Sequence, residues 1–166
     1  MSISVTNSLS LRLYYGNYSK LVTGTTRSEA TTGTLSFADA SALRSAIKKL
    51  GEYNFEDASE DEVQEKLTAF ADAMNNTLTS ATKYGTNNTA VKNAATKIKQ
   101  LNSDYASDLQ KIGITVNKDG TMSVYENAAE NYSRSRFTKF FTNDSEYLNE
   151  LYTAAKKITR HVDLYI

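Results

Sequence analysis

Val63, Leu67, Phe70, Met74, Leu78 and Ala81 follow one another at steps of four, three, four, four and three residues. Only an α-helix brings such a series onto one face. Ser59-Glu60-Asp61-Glu62 precedes it in the form of a capping box, and Tyr84-Gly85 marks its end. A second series starts near Thr89. Val91, Ile98, Tyr105 and Ile112 recur every seventh residue, with Ala94, Ala95, Leu101 and Leu109 filling the same side. Gly85-Thr86-Asn87-Asn88 lies between the two series, which predicts an antiparallel helical hairpin. Two stripes of this length need each other and further apolar cover, so the chain is expected to be mainly α.

The period changes abruptly at Ile112. Ile112-Gly113-Ile114-Thr115-Val116 and Thr121-Met122-Ser123-Val124 alternate apolar with polar or β-branched residues, and Asn117-Lys118-Asp119-Gly120 separates them. That is the pattern of a β-hairpin, with Gly113, Asp119 and Gly120 as its structural turn residues.

Further helices are expected on either side. One runs from Asp39, as cap, to Leu50, with Leu43, Ala46, Ile47 and Leu50 on one face and Gly51 as the stop. A weaker one spans Glu126 to Phe141, carrying Ala129, Tyr132, Arg136, Phe137 and Phe140. The last is capped by Asn143 with Glu146 three residues on, and its stripe is Leu148, Leu151, Ala155, Ile158, Val162 and Tyr165, continuing to Ile166. At the other end Ile3, Val5, Leu9, Leu11, Leu13 and Tyr15 alternate, as an extended arm would. Gly16 to Ser36 is rich in Gly, Ser and Thr and is expected to be a flexible linker. The expected organisation is an arm and linker over 1–36 and a helical domain over 37–166. The domain is an elongated helical hairpin or small bundle with one short β-hairpin at about 112–124.

Composition narrows function more than it names it. Lys plus Arg and Asp plus Glu number 19 each, so no nucleic-acid or anionic-membrane partner is expected. No apolar run approaches the roughly 20 residues that span a bilayer. Met1 to Ser8 has neither the basic start nor the apolar block of a secretory signal. With no Cys, disulfides, thiolate chemistry and Cys-ligated zinc are excluded.

Each candidate site has a plainer explanation beside it. Thr115 to Glu126 resembles a calcium loop, with Asn117 and Asp119 at ligand positions, Gly120 at the turn and Glu126 at the bidentate end. Thr115, however, stands where the first carboxylate belongs, and the alternation favours a hairpin. No metal or other cofactor is therefore expected, with Asn117, Asp119 and Glu126 as the weak candidates. His161, the only histidine, has Lys157, Ile158, Leu164 and Tyr165 as its helical neighbours, none a carboxylate. The acidic run Glu60-Asp61-Glu62 complements a helix N-terminus. Tyr105, Tyr132, Tyr147 and Tyr165 fall on or beside apolar stripes and are expected to pack. No phosphate loop, nucleophile elbow or His-Glu-x-x-His motif occurs, and no enzyme activity is expected. The stripe Leu148, Leu151, Ala155, Ile158, Val162 and Tyr165 is the candidate interaction surface, its plainer role being to dock on the chain's own bundle.

Several of these segments have a familiar order. Ala69-Phe70-Ala71-Asp72-Ala73-Met74-Asn75, the helix from Asn88 to Gln110, and above all Gly113-Ile114-Thr115 followed by Asp119-Gly120-Thr121-Met122-Ser123-Val124 resemble the helical core of the flagellar filament-capping, or hook-associated cap, family. Phe137-Thr138-Lys139-Phe140-Phe141 before a last helix is similar to that family's end. Thr34-Leu35 and Asp39 to Arg44 resemble a further family segment, placed there after the Phe70 helix rather than before it. Family members are several times longer, pair an N-terminal helix with the C-terminal one and carry outer β domains, neither of which is recognisable in this sequence. The resemblance implies a bacterial, exported, flagellum-associated structural protein that needs no cleaved signal. Its C-terminal helix would contact further copies or other axial proteins. The alternatives are a soluble, cytoplasmic helical adaptor or export chaperone that binds a partner helix, and a calcium-binding protein using 115–126.

Overall fold

The computed structural model describes residue 27 and residues 29–162. These form α1 (Thr32–Glu52), α2 (Glu60–Tyr84), α3 (Thr89–Asp104), α4 (Ala106–Gln110), β1 (Ile114–Val116), β2 (Met122–Val124), α5 (Ala128–Asn131), α6 (Arg134–Phe140) and α7 (Glu146–His161). The described residues are mainly α with one two-stranded antiparallel sheet, as their periodicities require. The extended arm expected at residues 1–15 lies outside the described residues.

α1, α2, α3 and α7 close a ring: α1 packs on α2, α2 on α3, α3 on α7, and α7 back on α1. Each helix turns its apolar stripe inward, where Leu43, Leu67, Phe70, Met74, Ile98, Leu151 and Ile158 have essentially no exposure. Burying a side chain of this size stabilises the fold by about 1.5–3 kcal/mol. α2 starts as its sequence dictates. Ser59 Oγ accepts from the Glu62 amide, and Glu62 accepts from the Ser59 amide at 2.9 Å.

An aromatic seam closes one end of the bundle. Phe55, in the α1–α2 connection, stacks on Phe137 and Phe141 at 6.0 and 5.6 Å, and Phe141 meets Phe70 edge-on at 5.5 Å. Phe140 continues the series to Tyr147, which in turn meets Tyr105 at 5.0 Å. Thus the weakly periodic α6 is held by rings rather than by an amphipathic face of its own.

Several boundaries differ from those the sequence predicts. α1 begins at Thr32, so residues 32–36 belong to the helix and not to a linker. The cap is Thr31, whose hydroxyl accepts from the Thr34 amide at 3.2 Å. Asp39 lies inside the helix, buried, and takes both guanidinium nitrogens of Arg27 at 2.7 and 2.9 Å. Gly51 does not stop the helix but sits within it against the Asn143 side chain. The heptad series of α3 is interrupted at Tyr105, beyond which α4 carries Leu109 into the core. The helix expected over 126–141 is two short ones, α5 and α6, separated at Tyr132 and Ser133. Ser145, not Asn143, caps α7 by accepting from the Leu148 amide.

Candidate functional site

β1 and β2 pair Ile114 with Val124, Thr115 with Ser123 and Val116 with Met122. The turn between them is built from its own side chains. The Gly120 amide donates to the Asn117 carbonyl at 2.9 Å, and Gly120 has φ +86°, the left-handed region where a Cβ is costly. Asp119 accepts from both the Thr121 hydroxyl and the Thr121 amide, and these bonds hold its carboxyl below the ordinary aspartate range. Asn117 turns its amide nitrogen to the Thr121 and Ser123 hydroxyls at 3.0 and 3.3 Å.

This geometry separates the calcium-loop candidates. Thr115 is an exposed strand residue facing Ser123, and Asp119 is engaged within the turn. Glu126 lies beyond β2, at the opposite end of the hairpin from Asn117 and Gly120. An extended ladder replaces the wrapped loop that would bring the three together. Among the described residues no cluster of His, Cys, Asp or Glu could hold a metal ion.

The hairpin is riveted to the bundle by three polar side chains that the apolar pattern does not single out. Asn75 of α2 brackets Met122, donating to its carbonyl at 2.8 Å and accepting from its amide at 2.7 Å. Asn102 of α3, fully buried, donates to the Gly120 carbonyl at 2.8 Å and accepts from the Tyr147 hydroxyl at 2.8 Å. Gln64 donates to the Tyr125 carbonyl at 2.8 Å and accepts from the Ala129 amide at 3.1 Å. Gly113, with φ +82°, lets the chain enter β1 against Ala128. The only signal of these anchors in the sequence is an amide residue beside each stripe member, at Val63-Gln64, Met74-Asn75 and Leu101-Asn102.

The candidate interaction stripe is core. Leu148, Leu151, Ala155 and Ile158 are 2% exposed or less, and Val162 is 8% exposed. The same heptad spacing that would serve an intersubunit seam is satisfied inside the chain by α1 and α3. Tyr165 lies outside the described residues. His161 is exposed at the end of α7, and its carbonyl accepts from Asn88 at 2.9 Å.

Two seams involve the opposite sides of α7. Toward α1, Arg44 lies over the Tyr152 ring at 5.0 Å and donates to the Tyr152 hydroxyl at 3.1 Å and the Thr159 hydroxyl at 3.2 Å. Gly51 near Asn143 and Arg44 near Thr159 set the two helices antiparallel. The Arg44 hydrogen bond, helped by Lys48, holds the Tyr152 phenol below the ordinary tyrosine range. Toward α3 the helices diverge at the surface and leave an open groove of about 920 Å³. Ala94 and Ala154 form its floor, and Lys97 bridges it to Glu150 at 2.7 Å. No helix of the described chain is long and apolar enough to cross a membrane. No protein-family model, curated protein or solved structure matches the chain.

Proposed function

We propose that this chain is a non-enzymatic assembly subunit related to the flagellar filament-capping proteins, exported without a cleaved signal and acting through protein–protein contacts. The antiparallel pairing of α1 with α7 carries the reading. Family members pair an N-terminal helix with the C-terminal one, and the Arg44–Tyr152 seam between α1 and α7 is compatible with a pairing of that kind. The segment that resembles the family most closely is a hairpin fixed at Met122 and Gly120. A hairpin held against a small bundle by buried side chains and amide clamps suits a part that is positioned and does no chemistry.

The test is co-sedimentation of the intact, tagged chain with flagellar filaments reassembled from the source bacterium's flagellin, followed by electron microscopy of the labelled ends. Label confined to filament ends is the expected result. A chain that stays in the supernatant at every ratio would overturn the cap relationship. Intact protein is required, because removing α7 would take Leu151 and Ile158 out of the core.

A further inference from the structure

The outer face of α7 has a charge pattern with a centre. Glu146, Glu150, Thr153, Lys157 and His161 share this face at helical spacing and line the α3–α7 groove. Glu150 and Lys157 stand equally far along the chain on either side of the Thr153–Ala154 peptide, and so do Glu146 and His161. Acid occupies the N-terminal end, where Asp144 extends it, and base occupies the C-terminal end. A two-fold rotation through that peptide therefore lays each acidic position over a basic one.

Among the described residues the basic end is left uncompensated. Across the groove from Lys157 and His161, α3 offers Ala90, Asn93 and Ala94, with no carboxylate among them. Lys97 is the only α3 charge in the groove, and it is bonded to Glu150. At the centre the residues are small, Thr153 and Ala154 on α7 and Ala94 on α3, so a second backbone can approach closely. The balanced net charge sets up no overall repulsion between copies.

We infer that this face is a self-docking surface on which a second copy of the chain seats its own α7. The two helices lie antiparallel about a two-fold axis at Thr153–Ala154. Glu150 of each copy meets Lys157 of the other, and Glu146 of each meets His161 of the other. The contact is isologous and closes at two copies, so it makes a dimer and not a filament. It uses the face opposite the buried stripe, and no part of the core has to open. This names a partner for the assembly role proposed above and rests on that reading for its purpose, while the charge pattern stands without it.

The test uses two charge reversals, Glu150→Lys and Lys157→Glu, examined by sedimentation equilibrium separately and mixed. In either variant alone both predicted pairs become like-charged, and self-association is expected to weaken on the order of tenfold or more. In an equimolar mixture each heterodimer regains two attractive pairs, so association returns to the wild-type level. Circular dichroism checks the fold of both variants, which is expected to be unchanged because the Lys97–Glu150 bridge is surface-exposed and contributes little to stability. A wild-type chain that stays monomeric, variants that associate like wild type, or a mixture that fails to recover would each overturn the inference. Filament binding by a monomeric wild type would leave the assembly reading intact while removing this surface from it.

Discussion

Asn75 and Met122 exchange both of their hydrogen-bonding groups, the side-chain amide of one closing on the backbone amide and carbonyl of the other at 2.7 and 2.8 Å. The arrangement copies a strand partner, so α2 completes on one side what β1 does on the other. Asn75→Ala leaves both Met122 groups partly buried and unpaired, and is expected to cost about 1–3 kcal/mol. Urea denaturation measures it. A loss near zero would show that the hairpin does not depend on this clamp.

Tyr147 makes stability sensitive to alkali. Its burial pushes the phenol above the ordinary tyrosine range, because the phenolate cannot be solvated there. Below that range folded and unfolded chains both keep the proton, and nothing is lost. As the pH rises past about 10 the unfolded chain ionises and the buried ring does not, so stability falls. Tyr147→Phe should lower stability at neutral pH by about 1–2 kcal/mol, since Asn102 loses a donor. It should also flatten the decline above the tyrosine range. An unchanged slope in denaturation curves at rising pH would contradict the buried phenol.

Gly113→Ala tests the entry to β1. At φ +82° an added methyl is strained, and it would also run into the Ala128 side chain. The expected cost is about 1–3 kcal/mol, read as a lowered melting temperature. Gly120→Ala shares the strain, and its methyl meets the stem of Lys99 less closely than the Gly113 methyl meets Ala128, so the smaller effect is expected there. The opposite ranking would show that Ala128 yields and Lys99 does not.

Asp119 is a turn-former whose hydrogen bonds hold its carboxyl below the usual range. That contribution is present above the ordinary aspartate pKa and disappears as the pH falls through the depressed value. Asp119→Ala should therefore destabilise the chain at neutral pH and converge with wild type in acid. Millimolar calcium should leave the melting temperature of the wild-type chain unchanged. A calcium-dependent rise abolished jointly by Asp119→Ala and Glu126→Ala would restore the metal loop.

The parts of this fold legible in the sequence are those where one period runs unbroken. α2 was visible from its stripe and its Ser59–Glu62 box, and the hairpin from its alternation about Asn117–Gly120. α1 was only half visible. Thr32 to Ser36 has the composition of a linker, and tertiary cover together with the Thr31 cap overrides that weak propensity. Tyr105 fits the heptad, yet α3 ends there as the backbone turns to send Leu109 inward. Periodicity also cannot say whether the stripe at Leu151 and Ile158 faces a sister helix or another molecule, since both ask for the same spacing. The acidic and basic residues Glu146, Glu150, Lys157 and His161 are present in the sequence throughout. They acquire a meaning only once the opposite face of α7 is known to be spent on the core.

Asn102 has a consequence for how the chain comes into being. One buried amide ties α3, the turn at Gly120 and the Tyr147 hydroxyl, and Tyr147 belongs to the helix that comes after all the other elements in the chain. A polypeptide leaving a ribosome N-terminus first presents everything up to Phe141 before that hydroxyl arrives. Until then Asn102 lacks its donor and the bundle lacks its fourth wall. The described fold therefore closes only when α7 joins it, and Tyr147 is the residue through which that last helix reaches the turn at Gly120.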